Sequence, residues 1–213
     1  MDGHDFLERV RSDEATALSR LGSDKYLIAT TGADLSTGPV LATVARSAAV
    51  ARDTFDAWAA DGPDPAAAAF ADAADTERDH YDRITDAMPD DATVPDDVPV
   101  VDAVADAMGA SEDAIERVAA GLVGRALVAD QAHLQVVSFF VNEADDTRAD
   151  LARELRSDAQ AQLESGVELL DTLCESDEDW DRARRAAGRV VADAYDDYAA
   201  ALETMGVDPK PVC

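Results

Sequence analysis

Phe70 to Met88 reads FADAADTERDHYDRITDAM, in which Phe70, Ala74, Glu77, Tyr81, Ile84 and Met88 recur at spacings of 4-3-4-3-4. This is the period of a helix that lays one stripe against its neighbours. The stripe contains an acid. Glu77 falls between Ala74 and Tyr81, where a carboxylate without a partner is costly, and His80 stands three residues further on. An acid and an imidazole at that spacing can present two ligands to one metal ion. They can equally close as a buried hydrogen-bonded pair, completed by an arginine such as Arg125. The residues alone leave both readings open.

The same period extends outward in both directions with no strand-like alternation, so the chain reads as all-α. Upstream, Pro39 to Ala60 carries Leu41, Val44, Ala48, Ala51, Phe55 and Trp58 at spacings of 3-4-3-4-3. The DGPDP run then breaks the chain, and the quoted helix is expected from about Asp64 to Met88. A first helix is expected over Asp2 to Arg20, striped by Phe6, Val10, Ala17 and Leu21, followed by apolar YLIATT and turn-rich ADLSTGP. Downstream, the acidic connection PDDATVPDDVP leads to a short apolar piece, Val98 to Met108. SEDAIERVAA reads as a capped helix start with Ser111 as the cap and acids in the first turn. This most apolar helix is expected to reach about Val141. NEADD makes a tight connection to a fifth helix, Asp146 to Leu173, with Leu155, Leu163, Val167 and Leu170 inward. ESDEDW opens a sixth, to about Met205, striped by Trp180, Ala187, Val191, Ala194, Tyr198 and Ala201. The expected division is an N-terminal helix and connection over 1–38, a four-helix bundle over 39–173, and a C-terminal helix within 174–213 packing on the bundle.

The chain carries 34 Asp and 12 Glu against 16 Arg and 2 Lys, for a formal net charge of −28. An Asp excess with almost no Lys over an Ala- and Val-rich interior resembles the proteins of extremely halophilic archaea. In molar salt the Debye length falls to about 3 Å, so such a surface stays hydrated without its self-repulsion unfolding the chain. The balance argues against direct nucleic-acid binding, which needs clustered cations. The nearest cluster, Arg182, Arg184, Arg185 and Arg189, is surrounded by Asp and reads as a set of counterions, with a partner-docking face as the second reading. MDGHDFLERVRSDE lacks the cationic and apolar regions of a signal peptide. The apolar tract Val118 to Val141 contains Arg125, Asp130 and His133, which are expensive in hydrocarbon. A cytoplasmic protein without a membrane span is expected. Cys174 and Cys213 are expected to be a helix-end filler and a tail residue, not a disulfide.

Two antiparallel helices, a long crossover, two more antiparallel helices and an inward Glu-x-x-His resemble the ferritin-like superfamily, and within it the rubrerythrins. The resemblance covers about residues 39–173 and implies a di-iron centre held by a Glu from each of two helices and a Glu-x-x-His from each of the other two. Glu77 and His80 match one such motif. The pattern is degraded elsewhere: the helix facing it offers only Ala48 to Ala51 at that level, the fourth helix offers Asp130 and His133, and the fifth has no His. Asp158, or Glu154, lies at a level to face Asp130 across the NEADD turn. The implied metal set is therefore Glu77, His80, Asp130, His133 and Asp158, suited to no cofactor or to a single iron or other divalent ion. The leading expectation is a non-catalytic or weakly metal-binding interaction or regulatory protein. It would be transcription-associated in one version, with a protein partner and a homo-oligomer compatible with the sequence. The alternative is a di-metal oxidoreductase handling oxygen or peroxide.

Overall fold

A computed structural model describes residues 1–61 and 66–210, and every described element is helical. The core is assembled from two antiparallel hairpins. In the first, α4 (Thr37–Asp61) lies against α5 (Ala66–Ala87), and Leu41, Val44, Ala48, Ala51, Phe55 and Trp58 are all buried as their spacing requires. Phe55 stacks on Phe70 with centroids 6.2 Å apart, and Trp58 tilts onto Phe70 at 5.1 Å. The DGPDP break between them falls largely at 62–65, outside the described residues. On α5 the inward stripe is Phe70, Ala74, Glu77, His80 and Ile84, while Tyr81 is only half-buried and takes Arg52 over its ring. The stripe is thus rotated by one residue from the expected seam, toward His80.

The second hairpin pairs α8 (Arg125–Asn142) with α9 (Asp146–Leu173). Its turn is made by Ala144 in the left-handed region (φ 55), and the Asp145 side chain accepts from the Arg148 amide to cap α9. The crossover between hairpins contains α6 (Pro99–Gly109). α8 does not begin at Ser111. The cap is Asp113, which accepts from the Glu116 amide, while the Glu112 amide donates to the Glu116 carboxylate. The Ser111 hydroxyl is buried and makes no hydrogen bond. After α7 (Ala114–Arg117) the helix continues as a π segment, Val118–Gly124, before α8, with right-handed helical backbone at both junctions.

All seven residues of the π segment are buried. Its glycines permit the contact. A Cβ on Gly121 would lie 2.7 Å from the Trp58 ring and 2.8 Å from Phe55, and one on Gly124 would lie 2.7 Å from the Ala187 carbonyl of α10 (Asp177–Thr204).

The N-terminal region departs from the single helix expected over Asp2 to Arg20. Glu14 (φ −99, ψ 14) divides it into α1 (Gly3–Asp13) and α2 (Ala15–Leu21). The break lets α1 hold Gly3 against α9, where its amide donates to Asp171 at 2.7 Å, while α2 follows α10 through Ser23 and Tyr198 at 3.0 Å. YLIATT lies within α3 (Lys25–Thr31), which ends at Gly32 with φ 62. α10 opens on a Ser176–Asp179 capping box and buries Trp180, Ala183, Ala187, Val190, Val191, Ala194, Tyr198 and Leu202. It packs chiefly on α6 and the π segment. A single apolar cluster runs from Phe6 through Trp58, Leu155 and Trp180 to Leu202, so the three expected segments share one core.

Candidate functional site

α5 meets α9 along a ladder of polar contacts: Glu77 with Gln162, His80 with Asp158, and Arg83 with Glu154. The inner rungs are almost dry. Glu77 is 2% exposed, His80 3% and Arg125 5%. Arg125, the first residue after the π segment, enters from α8 and forms an ion pair with Glu77, its Nη2 2.7 Å from Oε1. Its Nη1 donates to Gln162 Oε1 at 3.0 Å, and Gln162 Nε2 donates to the same Glu77 oxygen at 3.1 Å. The guanidinium also lies over the Phe55 ring, 5.6 Å from its centroid. Three residues from α5, α8 and α9 thus form a closed ring of one ion pair and two charge-assisted hydrogen bonds.

His80 continues the network toward solvent. Its Nδ1 lies 3.5 Å from Glu77 Oε2, and its Nε2 lies 2.9 Å from Asp158 Oδ2, whose side chain is 44% exposed. Burial alone would raise the Glu77 pKa, but Arg125, His80 and Gln162 together hold it down to about 2. Burial alone would lower His80, but its bonds to Glu77 and Asp158 outweigh that and raise it above its usual 6.5. A protonated imidazole between two carboxylates is the state this geometry favours.

Asp130 is directed elsewhere. Its carboxylate accepts from Arg156 Nε at 2.8 Å, Gln160 at 2.7 Å and Gln131 at 3.1 Å. His133 is 8% exposed, and its Nδ1 has no hydrogen-bond partner. Burial, followed by the positive charge of His80, pushes its pKa down to about 4, so it is a neutral imidazole at ordinary pH. Of the five implied ligands, Glu77, His80 and Asp158 are linked, whereas Asp130 and His133 bond to none of them. Among the described residues no three His, Cys, Asp or Glu side chains gather as a metal-holding group.

Neither a family model, nor a curated protein, nor a solved structure matches the chain.

The residues present do not fit a di-metal centre. The two carboxylates approach His80 at opposite ring nitrogens, so all three cannot converge on one ion. A fixed guanidinium already sits on Glu77, and a second cation beside it would meet that charge at low dielectric. Gln162 is the member the sequence reading missed. Its signal was available, because Leu155, Ala159, Gln162, Gly166 and Leu170 form the buried face of α9 and only Gln162 in that set is polar.

Two concavities flank this region and a third lies apart from it. A groove of about 490 Å³ between α5 and α9 is lined by Asp158, Gln162, Thr76 and Glu168 and forms the outer wall of the network. A narrow, partly open cavity of about 30 Å³ lies on the inner side, with His133 and Arg125 in its lining. The largest, about 690 Å³, is a hydroxyl-rich groove of Thr30, Thr37, Thr43 and Thr93 at the start of α4 and is lined by none of the network residues. Two of the four clustered arginines are ion-paired, Arg182 with Asp113 and Asp179 and Arg184 with Asp13 at 2.9 Å, while the Nε of Arg189 is buried without a hydrogen bond. Burial raises the Cys174 thiol to about 11, which leaves it a poor nucleophile; Cys213 lies outside the described residues. No described helix is long and apolar enough to cross a membrane.

Proposed function

We propose that this chain is a helical interaction or regulatory protein, non-catalytic and at most a weak binder of one divalent ion, acting through protein contacts in a halophilic archaeal cytoplasm. Its resemblance to rubrerythrins would then be one of descent, with a metal site converted into an ion-paired core. One observation carries this reading. The carboxylate of the single Glu-x-x-His motif is occupied by Arg125 and Gln162 at 2.7 and 3.1 Å. A protein built on such a core presents a stable surface and lacks a redox centre of its own, which suits a transcription-associated or other assembly role.

The test is metal analysis of protein purified in molar KCl, paired with turnover assays using peroxide and ferrous iron. The expected result is less than one tightly bound iron per chain and no turnover above buffer. Two stoichiometric irons with peroxide-dependent oxidation that disappears in His80→Ala would replace this reading with the di-metal oxidoreductase. Light scattering of the same sample gives the oligomeric state that the protein presents to a partner.

A further inference from the structure

The narrow, partly open cavity on the inner side of the polar ring lies among α3, α4, α6 and α8, walled mainly by valines, with His133, Arg125, Thr43, Ser47 and Tyr26 as its polar lining. His133, one of its lining residues, has a ring nitrogen, Nδ1, that is buried and makes no hydrogen bond within the chain. An unmet polar atom in a dry core forfeits about 1–3 kcal/mol, and native folds rarely leave one without a partner. Two of the other polar groups around it are engaged. The Thr43 hydroxyl donates to the Pro39 carbonyl at 3.1 Å, and Arg125 is committed to Glu77 and Gln162.

We propose that this cavity is a built-in site for one water molecule, hydrogen-bonded to His133 Nδ1. Size selects the guest. The volume of about 30 Å³ matches a single water, which needs roughly 10–15 Å³ of such space and occupies about 30 Å³ in the liquid. An aromatic or aliphatic ligand needs several times more. Charge excludes a halide, because Arg125 is already balanced by Glu77 and a buried anion would find no uncompensated cation. Chemistry also favours water, which can donate to Nδ1 or accept from it and so satisfies either tautomer of a neutral imidazole. The water completes a polar layer that crosses the bundle from Asp158 at the outer groove to His133 at the inner cavity. The proposal does not depend on the interaction role above, since a di-metal enzyme with the same cavity would hold the same water.

Crystals grown from molar KCl, and again from KBr, test it. The expected result is one oxygen peak within hydrogen-bonding distance of His133 Nδ1, with no anomalous bromide signal. In solution, a long-lived water should cross-relax with the His133 ring protons, and both signals should vanish in His133→Leu. A dry cavity in the wild-type crystal, or bromide at that position, overturns the proposal. If His133→Leu fails to fold, the wild-type density and cross-relaxation still decide the matter.

Discussion

Glu77 and Arg125 stabilise the fold only as a pair. Glu77→Ala strands a guanidinium in the core and is expected to cost about 3–5 kcal/mol, the range for breaking one partner of a buried ion pair. The double variant Glu77→Leu/Arg125→Met removes both charges and should recover most of that loss. Denaturant titration in molar KCl measures both, and additive losses in the double variant would show that the two side chains act independently. The same residues set the pH response. Glu77 has its folded pKa depressed from 4.5 to about 2, so its contribution is complete above pH 4.5 and is lost as pH falls toward 2. His133 is depressed from 6.5 to about 4; the unfolded chain binds more protons across that interval, and stability falls as pH drops through it. His80 is raised above 6.5, so its contribution is complete below 6.5 and is lost as pH climbs through its folded value. The three together place maximum stability near pH 6.5. Thermal melts across pH should show His80→Gln flattening the alkaline limb and His133→Leu flattening the acid limb between 4 and 6.5. At this scale the sequence was partly legible. Glu77 declared itself by interrupting an apolar stripe, and Arg125 was a natural partner. The partners of Asp130 were not legible, because spacing alone does not reveal that Arg156 and Gln160 reach it across the α8–α9 turn.

Helix seams were readable wherever one face is buried along its whole length, as on α4, where all six spaced residues are inward. Boundaries set by local competition were not. SEDAIER offers two caps. The fold uses Asp113, while Ser111 is left in a buried position with no bond. Asp113→Ala should therefore cost about 1 kcal/mol, the usual value of a cap, and Ser111→Ala should be neutral or slightly stabilising. Equal losses in equilibrium unfolding would restore Ser111 as the cap. The π segment was invisible because it adds residues to a turn without changing composition. Its effect is nevertheless decisive for the site, since Arg125 is the residue that follows it. The break at Glu14 was hidden for a similar reason: Ala, Thr and Leu on either side continue a helical pattern, while in the fold α1 packs on α9 and α10 and α2 on α10 and α8.

At the scale of the molecule the dominant quantity is the net charge of −28 on a chain whose interior is built largely from Ala and Val. Repulsion among exposed carboxylates reaches about 10 Å at 0.1 M salt and about 3 Å at 1 M. Helical circular dichroism is expected to fall when KCl is lowered below a few tenths molar and to return when it is restored. Identical helicity and melting temperature at low and molar KCl would show that the charge is tolerated without screening. The total charge was legible from composition, and so was the all-helical class. The integration of α10 was not, because an amphipathic helix that covers a finished bundle and one that completes its core carry the same stripe. Here α10 covers α6 and the π segment, and both are translated before it. While the ribosome is still making α9, the faces of α6 and of the π segment that α10 covers, the one at Gly124 among them, lack that partner, and the nascent chain holds an open apolar face. Folding must therefore finish late, after Asp177–Thr204 has left the exit tunnel, and any truncation before that point should yield a substrate for chaperones and not a smaller native protein.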